Sequence, residues 1–190
     1  MLDLVYIDGY GLEGSNFYFR NYANKGLSFE DVTKAGLTDD RVQIDRSLIE
    51  KLQRIDERLA VDGYRLYIKE GYRSKELYEI VYLRRCEKFG QEITDTLINI
   101  KDQPHALGLS VDVCLFDRES GTEIEMRDRS DGTDALFVDY YKGKPGEVAQ
   151  HFQRLQEYLI SLMQAEGFRL GTRREYFHFD YRPESEPNYP

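Results

Sequence analysis

The clearest pattern in the chain is a strict two-fold alternation that begins at Leu109. Leu109, Val111, Val113 and Leu115 fall on one side and Ser110, Asp112, Cys114 and Phe116 on the other, which predicts a strand with one face in a core. Asp112 then projects from the opposite face of a well-anchored strand. A second alternating run, Tyr64-Arg65-Leu66-Tyr67-Ile68-Lys69-Glu70, predicts another strand, ended by Gly71-Tyr72-Arg73-Ser74. Helical spacing governs other stretches. Ile44, Leu48, Ile49, Leu52, Ile55 and Leu59 predict a helix that starts near Asp45, whose carboxylate can cap it, and stops at Asp62-Gly63. Ser74 would cap a second helix through Leu77, Tyr78, Val81, Tyr82 and Arg85 to near Phe89. A shorter helix is expected over Ile93–Ile100. Lys101-Asp102-Gln103-Pro104 breaks it, because proline biases its predecessor away from the helical region. A last helix over Gly146–Glu166 would bury Val148, Phe152, Leu155, Leu159 and Leu162. It leads into strands at Phe168–Leu170 and Glu175–Tyr181.

The remainder carries little periodicity. Residues 1–42 are rich in Gly, Asn and Tyr, and predict an irregular wrap with short extended pieces at Asn16–Phe19 and Gly26–Phe29. Residues 117–146 are polar, with a hairpin expected to return through Thr122-Glu123-Ile124 and a long loop over 127–145. The proline-bearing tail, 182–190, is expected to run extended. There is no internal repeat, linker or low-complexity block. The fold class predicted is α+β: a single domain over 1–190 with helices packed on a mainly antiparallel sheet.

Composition narrows the options. A chain of 190 residues with 41% hydrophobic positions is long enough to bury a sizeable core. Its 15 Tyr and 10 Phe argue against disorder. The net charge of −9 counts against sequence-independent binding to nucleic acid, which needs Lys and Arg to neutralise phosphates. No apolar run is long enough to span a membrane. The segment Met1–Asp8 lacks the basic and apolar regions of a signal peptide. Cys86 and Cys114 read as two small buried groups in a reducing compartment, with a disulfide or metal role as the alternative.

The histidines introduce chemistry. His151 lies beside the apolar stripe of the last helix with no carboxylate at ligand spacing, and is expected at the helix surface. His105 and Asp112 stand seven positions apart, across a turn and into a strand. A second imidazole joining them would make a three-ligand zinc site with one position open for water, whose pKa zinc lowers towards about 7. His178, in Glu175-Tyr176-Phe177-His178 on the final strand, is the candidate. Glu175 is the natural base to take and relay the proton of that water. Positions i and i+3 of a strand face opposite ways, so Glu175 must then lie in a turn or bulge before the strand. Arg73, at the end of a separate strand, could stabilise an oxyanion. Taken alone, such an arginine is more often solvated or ion-paired, and Glu175 more often a surface group. Their joint occurrence shifts the balance.

The segment His105-Ala106-Leu107-Gly108-Leu109-Ser110-Val111-Asp112 resembles the His-x-x-Gly-x-x-x-Asp motif of the zinc D-Ala-D-Ala metallopeptidases. Glu175-Tyr176-Phe177-His178 resembles their Glu-x-Trp-His motif, and Gly71-Tyr72-Arg73 their Gly-Tyr-Arg segment, in the same order. Within the family the chain looks most similar to the cytoplasmic VanX-type D-alanyl-D-alanine dipeptidases, from its Asn16-Phe17 lead-in, its Asp117–Met126 hairpin and its Pro-Asn-Tyr tail. The resemblance implies a hedgehog/DD-peptidase-like fold and one Zn2+ per chain on His105, Asp112 and His178. It also implies Glu175 as catalytic base, Arg73 as transition-state stabiliser and a small dipeptide as substrate. Met126-Arg127-Asp128-Arg129-Ser130-Asp131 occupies the place of a Met-Gly-x-x-Phe-Asp stretch, which makes Asp131 the candidate for holding the substrate ammonium. Four kinds of departure bear on the substrate: Gln103 replaces a serine, Ser130 a phenylalanine, Tyr176 and Phe177 two tryptophans, and Gly-Tyr-Arg-Ser replaces Gly-Tyr-Arg-Pro. The alternatives are a D,D-carboxypeptidase or endopeptidase acting on cell-wall peptides, and a non-catalytic peptide-binding protein that keeps the zinc. Retention of Glu175 argues against the last, because a structural site has no use for a base.

Overall fold

A computed structural model describes residues 2–98 and 103–182. The expected extended tail over 182–190 and the end of the expected helix over Ile93–Ile100, with Lys101 and Asp102, lie mainly outside those residues. The contacts divide the chain into two compact units, Met1–Ile49 with Ile68–Val111, and Glu50–Tyr67 with Asp112–Pro190. The architecture is α+β. Strands β1 (Leu4–Tyr6) and β3 (Gln43–Asp45) pair antiparallel, with Val5 opposite Ile44. A second sheet has the order β2-β4-β5-β7-β6, from Glu13–Gly14, Tyr64–Glu70, Ser110–Asp117, His178–Tyr181 and Phe168–Leu170. Its β6–β7 pair is antiparallel, as is the bridge from Phe116 to Glu123 that forms the expected hairpin.

In the first unit the N-terminal region differs from the sequence expectation. Asn16–Phe19 is not extended; it opens helix α1 (Phe17–Asn21), because the Asn16 side chain accepts from the Phe19 amide. Ser28 and Asp31 form a reciprocal capping box that starts α2 (Phe29–Lys34). These short helices bury Tyr18 and Val32 against Leu77, Tyr78 and Val81 of α4 (Lys75–Phe89). Ser74 caps α4 as predicted, accepting from Leu77 N. Helix α5 (Gln91–Leu97) follows, and Ile98 is already extended. Pro104 opens a single 3-10 turn, Pro104–Leu107, after Gln103 in the left-handed region at φ 42°. Gly108 closes that turn at φ 69°, a conformation that costs glycine least. A Cβ there would also stand 2.9 Å from Leu4 Cδ2 and 3.3 Å from Asp45 N, so the turn lies tight against β1 and β3.

In the second unit, α3 (Ile49–Val61) follows a 3-10 turn that Asp45 caps through the Ser47 amide. Leu52, Ile55 and Leu59 are fully buried, each contributing roughly 1.5–3 kcal/mol relative to exposure. Helix α6 (Glu147–Ala165) matches its predicted span, but its buried face is Phe152, Gln153, Leu155, Gln156, Leu159 and Met163. Val148, in the first turn, is 65% exposed rather than buried, and Leu162 is only half-buried. On β5, Val111, Val113 and Leu115 of the predicted core face are fully buried. Leu109, just before the strand, is half-buried, and Ser110 and Cys114 of the opposite face are buried as well, so the strand is covered on both sides there. Among the described residues, no helix is long and apolar enough to cross a membrane.

Candidate metal centre

His105 is set by its turn. It is buried, its amide donates to Tyr78 Oη at 3.1 Å, and its carbonyl accepts from Arg73 N at 3.2 Å. Its Nδ1 lies 2.7 Å from the Gly71 carbonyl. A carbonyl only accepts, so Nδ1 carries the hydrogen and Nε2 is the lone-pair nitrogen, the tautomer a metal ligand needs.

Asp112 and His178 come from strands β5 and β7. Asp112 lies half-buried on β5, and its Oδ1 is 2.8 Å from His178 Nδ1. His178 opens β7 and is buried, with Nε2 at 3.4 Å from Asp180 Oδ1. Burial alone would lower the pKa of this imidazole, but the two carboxylates outweigh it and push the value up to about 10. Gly171 lies beside the ring, where a Cβ would come within 2.2 Å of His178 Cδ2. Asp180 was not anticipated from the sequence. Its spacing of two from His178 puts both on one face of the strand, and that was the available signal.

His105, Asp112 and His178 each offer a ligand atom, and those atoms all lie within 4.8 Å of one another. The donor set of two imidazoles and one carboxylate fits a metal ion with a position left open.

The predicted base, Glu175, is half-buried in the turn between β6 and β7, where its carbonyl accepts from His178 N at 3.4 Å. The condition that it sit before the strand, not in it, is met. Arg73 is buried and ion-paired: Nε donates to Glu70 Oε1 and Nη2 to Glu70 Oε2, both at 2.7 Å. Its guanidinium carbon lies 4.6 Å from the centroid of the Tyr18 ring and 4.4 Å from that of Tyr78. Burial would lower its pKa, but Glu70 overcomes this and holds the group charged. Glu70 too was missed from the sequence. It follows Leu66 and Ile68 at spacing two on the buried face of β4, where a carboxylate needs a cation. Asp131 is not among those three clustered groups; it is exposed on a 3-10 turn, Arg129–Asp131. Tyr141 Oη donates to it at 3.0 Å, and burial foremost pushes the Tyr141 phenol up to about 12. His151 is exposed on α6, as expected, and Cys86 and Cys114 are not joined in a disulfide.

No protein-family model matches the chain, and no curated protein does. Among solved structures it is similar to the LD-carboxypeptidase LdcB, at 16% identity over 73% of this chain and 59% of that one, with a TM-score of 0.49. It is similar to the vancomycin-resistance D,D-pentapeptidase VanY in complex with Zn(II), at 16% identity over 73% and 72% of the two chains, TM-score 0.48. It is also similar to the D,D-dipeptidase VanXYg in complex with a D-Ala-D-Ala phosphinate analogue, at 18% identity over 77% and 53%, TM-score 0.44. The chain thus spans little more than half the length of LdcB and VanXYg.

Proposed function

We propose that residues 1–190 form one cytoplasmic peptidase domain that hydrolyses D-Ala-D-Ala or a similar short dipeptide with one Zn2+ held by His105, Asp112 and His178. The observation that carries this reading is the convergence of those three side chains to within 4.8 Å, from positions at the motif spacing. The resemblance of the three motifs to the zinc D-Ala-D-Ala metallopeptidases supports the reaction. That of the Asn16-Phe17 lead-in, the Asp117–Met126 hairpin and the Pro-Asn-Tyr tail to the VanX-type dipeptidases supports the substrate class and the location.

When bound, zinc would polarise the scissile carbonyl and lower the pKa of a water at its open position. The protein residues divide the remaining work. Glu175 accepts the proton of the attacking water and delivers it to the leaving amine. Arg73 donates hydrogen bonds to the carbonyl oxygen as it gains charge. Asp131 accepts from the free ammonium of the substrate, which favours short peptides with an unblocked amino end.

Two measurements test the reading on zinc-loaded protein. Metal analysis should find one zinc per chain, and D-Ala-D-Ala should be cleaved while its N-acetylated form is not. Equal turnover of both would sink the dipeptidase reading and favour a carboxypeptidase or endopeptidase. Glu175→Ala should lower kcat by about 10²–10⁴-fold with zinc content unchanged. Survival of turnover would remove Glu175 from its role.

A further inference from the structure

Arg73 presents an electrostatic puzzle. A buried guanidinium assigned to stabilise a developing negative charge is already matched by a buried carboxylate. Glu70 is 2% exposed and occupies the whole Nε–Nη2 edge with two bonds of 2.7 Å. That bidentate geometry fixes the guanidinium plane as well as its charge. The Tyr18 and Tyr78 rings press on the same group. Tyr78 also takes the amide hydrogen of His105, and the Arg73 amide donates to the carbonyl of His105. The guanidinium and the first zinc-ligand candidate are therefore held by one small network within one unit of the chain.

We propose that Glu70 is a positioning residue: it turns the Arg73 guanidinium so that Nη1, the nitrogen outside the Glu70 pair, is the one offered to the substrate. This inference rests on the role given to Arg73 above. Because Glu70 neutralises the cation, Arg73 acts as a directional hydrogen-bond donor and not as a free positive charge. A lysine, a point charge without the planar fork, could not be held in this way.

The consequence for kinetics is specific. Glu70→Gln keeps the shape of the side chain but turns one acceptor oxygen into a donor facing an Arg73 N–H. The bidentate pair cannot form, and the guanidinium plane is released. We expect kcat to fall roughly 10- to 100-fold, as for a small misplacement of a reacting group, with KM within about threefold and zinc content unchanged. Glu70→Asp, which keeps the charge but shortens the reach, should fall between the two. Combined with Arg73→Lys, Glu70→Gln should add no further loss, because Glu70 would have nothing left to position.

The deciding experiment joins this double-mutant cycle on D-Ala-D-Ala hydrolysis with 15N NMR of the arginine Nε–H groups in metal-free protein. Wild type should give a slowly exchanging Arg73 Nε–H that Glu70→Gln converts to fast exchange and Glu70→Asp partly restores. Additive losses in the cycle, or an Arg73 signal unmoved by Glu70→Gln, would overturn the proposal. If Glu70→Gln does not fold, Glu70→Asp carries both measurements with the same expected directions. A zinc-loaded wild type inert to every dipeptide would defeat the function proposed above, and the exchange measurement would still decide whether Glu70 orients Arg73.

Discussion

The Arg73 nest and the His178 cluster are both buried, both charged and both anchored at strand ends, yet their charges balance differently. The nest sets one cation against one anion, Arg73 against Glu70, at two contacts of 2.7 Å. The cluster sets one imidazole against two carboxylates, Asp112 at 2.8 Å and Asp180 at 3.4 Å. Arg182 Nη2 stands 3.9 Å from Asp180 Oδ2, so one of the two carboxylates already faces a fixed cation and the other is left to His178. The first region is complete as the chain folds it; the second is completed by a proton or a cation.

The largest effect should come from taking a ligand out of the incomplete region. His178→Ala should weaken zinc binding at least about 100-fold and abolish the rise in Tm that zinc gives the wild type, since metal that binds only the folded chain stabilises by mass action. Metal analysis and thermal scans with and without zinc would read this; stoichiometric zinc in the variant would refute the ligand set. The same scans taken against pH sharpen the contrast. The pKa of His178 is raised from 6.5 to about 10, so its contribution to the metal-free protein is fully present below about 6.5 and is lost as pH rises through 10. Zinc takes the place of that proton. The stabilisation by zinc should therefore widen from pH 7 to 10, and a narrowing would count against the account.

In the complete region the expected response is to stability and is indifferent to metal. Arg73→Met removes the cation and leaves Glu70 buried and unpaired, which costs about 3–5 kcal/mol. Urea unfolding should find a loss of this size both with and without zinc. A loss that vanished in the zinc-loaded protein would mean that the two regions are not independent in this respect.

The contrast also explains what was legible in the sequence. Strands β4 and β5 and helices α3, α4 and α6 follow from long apolar periods, and His105, Asp112 and His178 from their residue types and spacing. Two features were not found because they do not repeat. Helices α1 and α2 span five and six residues, too few for a period to appear, although Ser28-Phe29-Glu30-Asp31 carried a capping-box signature. Glu70 and Asp180 are partners of the groups singled out, and a pattern of apolar positions does not register a buried carboxylate that another side chain makes tolerable. On α6 the same limitation hid Gln153 and Gln156, buried in the apolar face, with Gln156 Nε2 donating to the Met126 carbonyl.

A smaller perturbation distorts the incomplete region without removing a ligand. The Cβ of Gly171→Ala would stand 2.2 Å from His178 Cδ2, 2.4 Å from Nε2 and 3.0 Å from Asp180 Oδ2, so the ring or the loop must move. Zinc affinity should drop by roughly 10- to 100-fold, the range for disturbed support of a metal ligand, measured by competition with a chromophoric chelator. Unchanged affinity would mean that the cluster tolerates a displaced imidazole, and the view that it is held rigidly for metal would fail.

The smallest effect belongs to a residue outside both regions. Asp131 is exposed, and its Oδ2 takes a hydrogen from Tyr141 Oη at 3.0 Å. An exposed carboxylate meeting an ammonium gains little, because water screens the pair. Asp131→Asn should therefore raise KM for D-Ala-D-Ala by only about fivefold and leave kcat and zinc content alone, the signature of lost ground-state binding. The sharper readout is selectivity. Amidation of Asp131 removes the charge that favours a free amine but leaves the N-acetylated substrate without a new partner, so the preference between the two should shrink through KM of the free dipeptide. A fall in kcat instead would move Asp131 into the chemistry, and an unchanged preference would take it out of substrate recognition altogether.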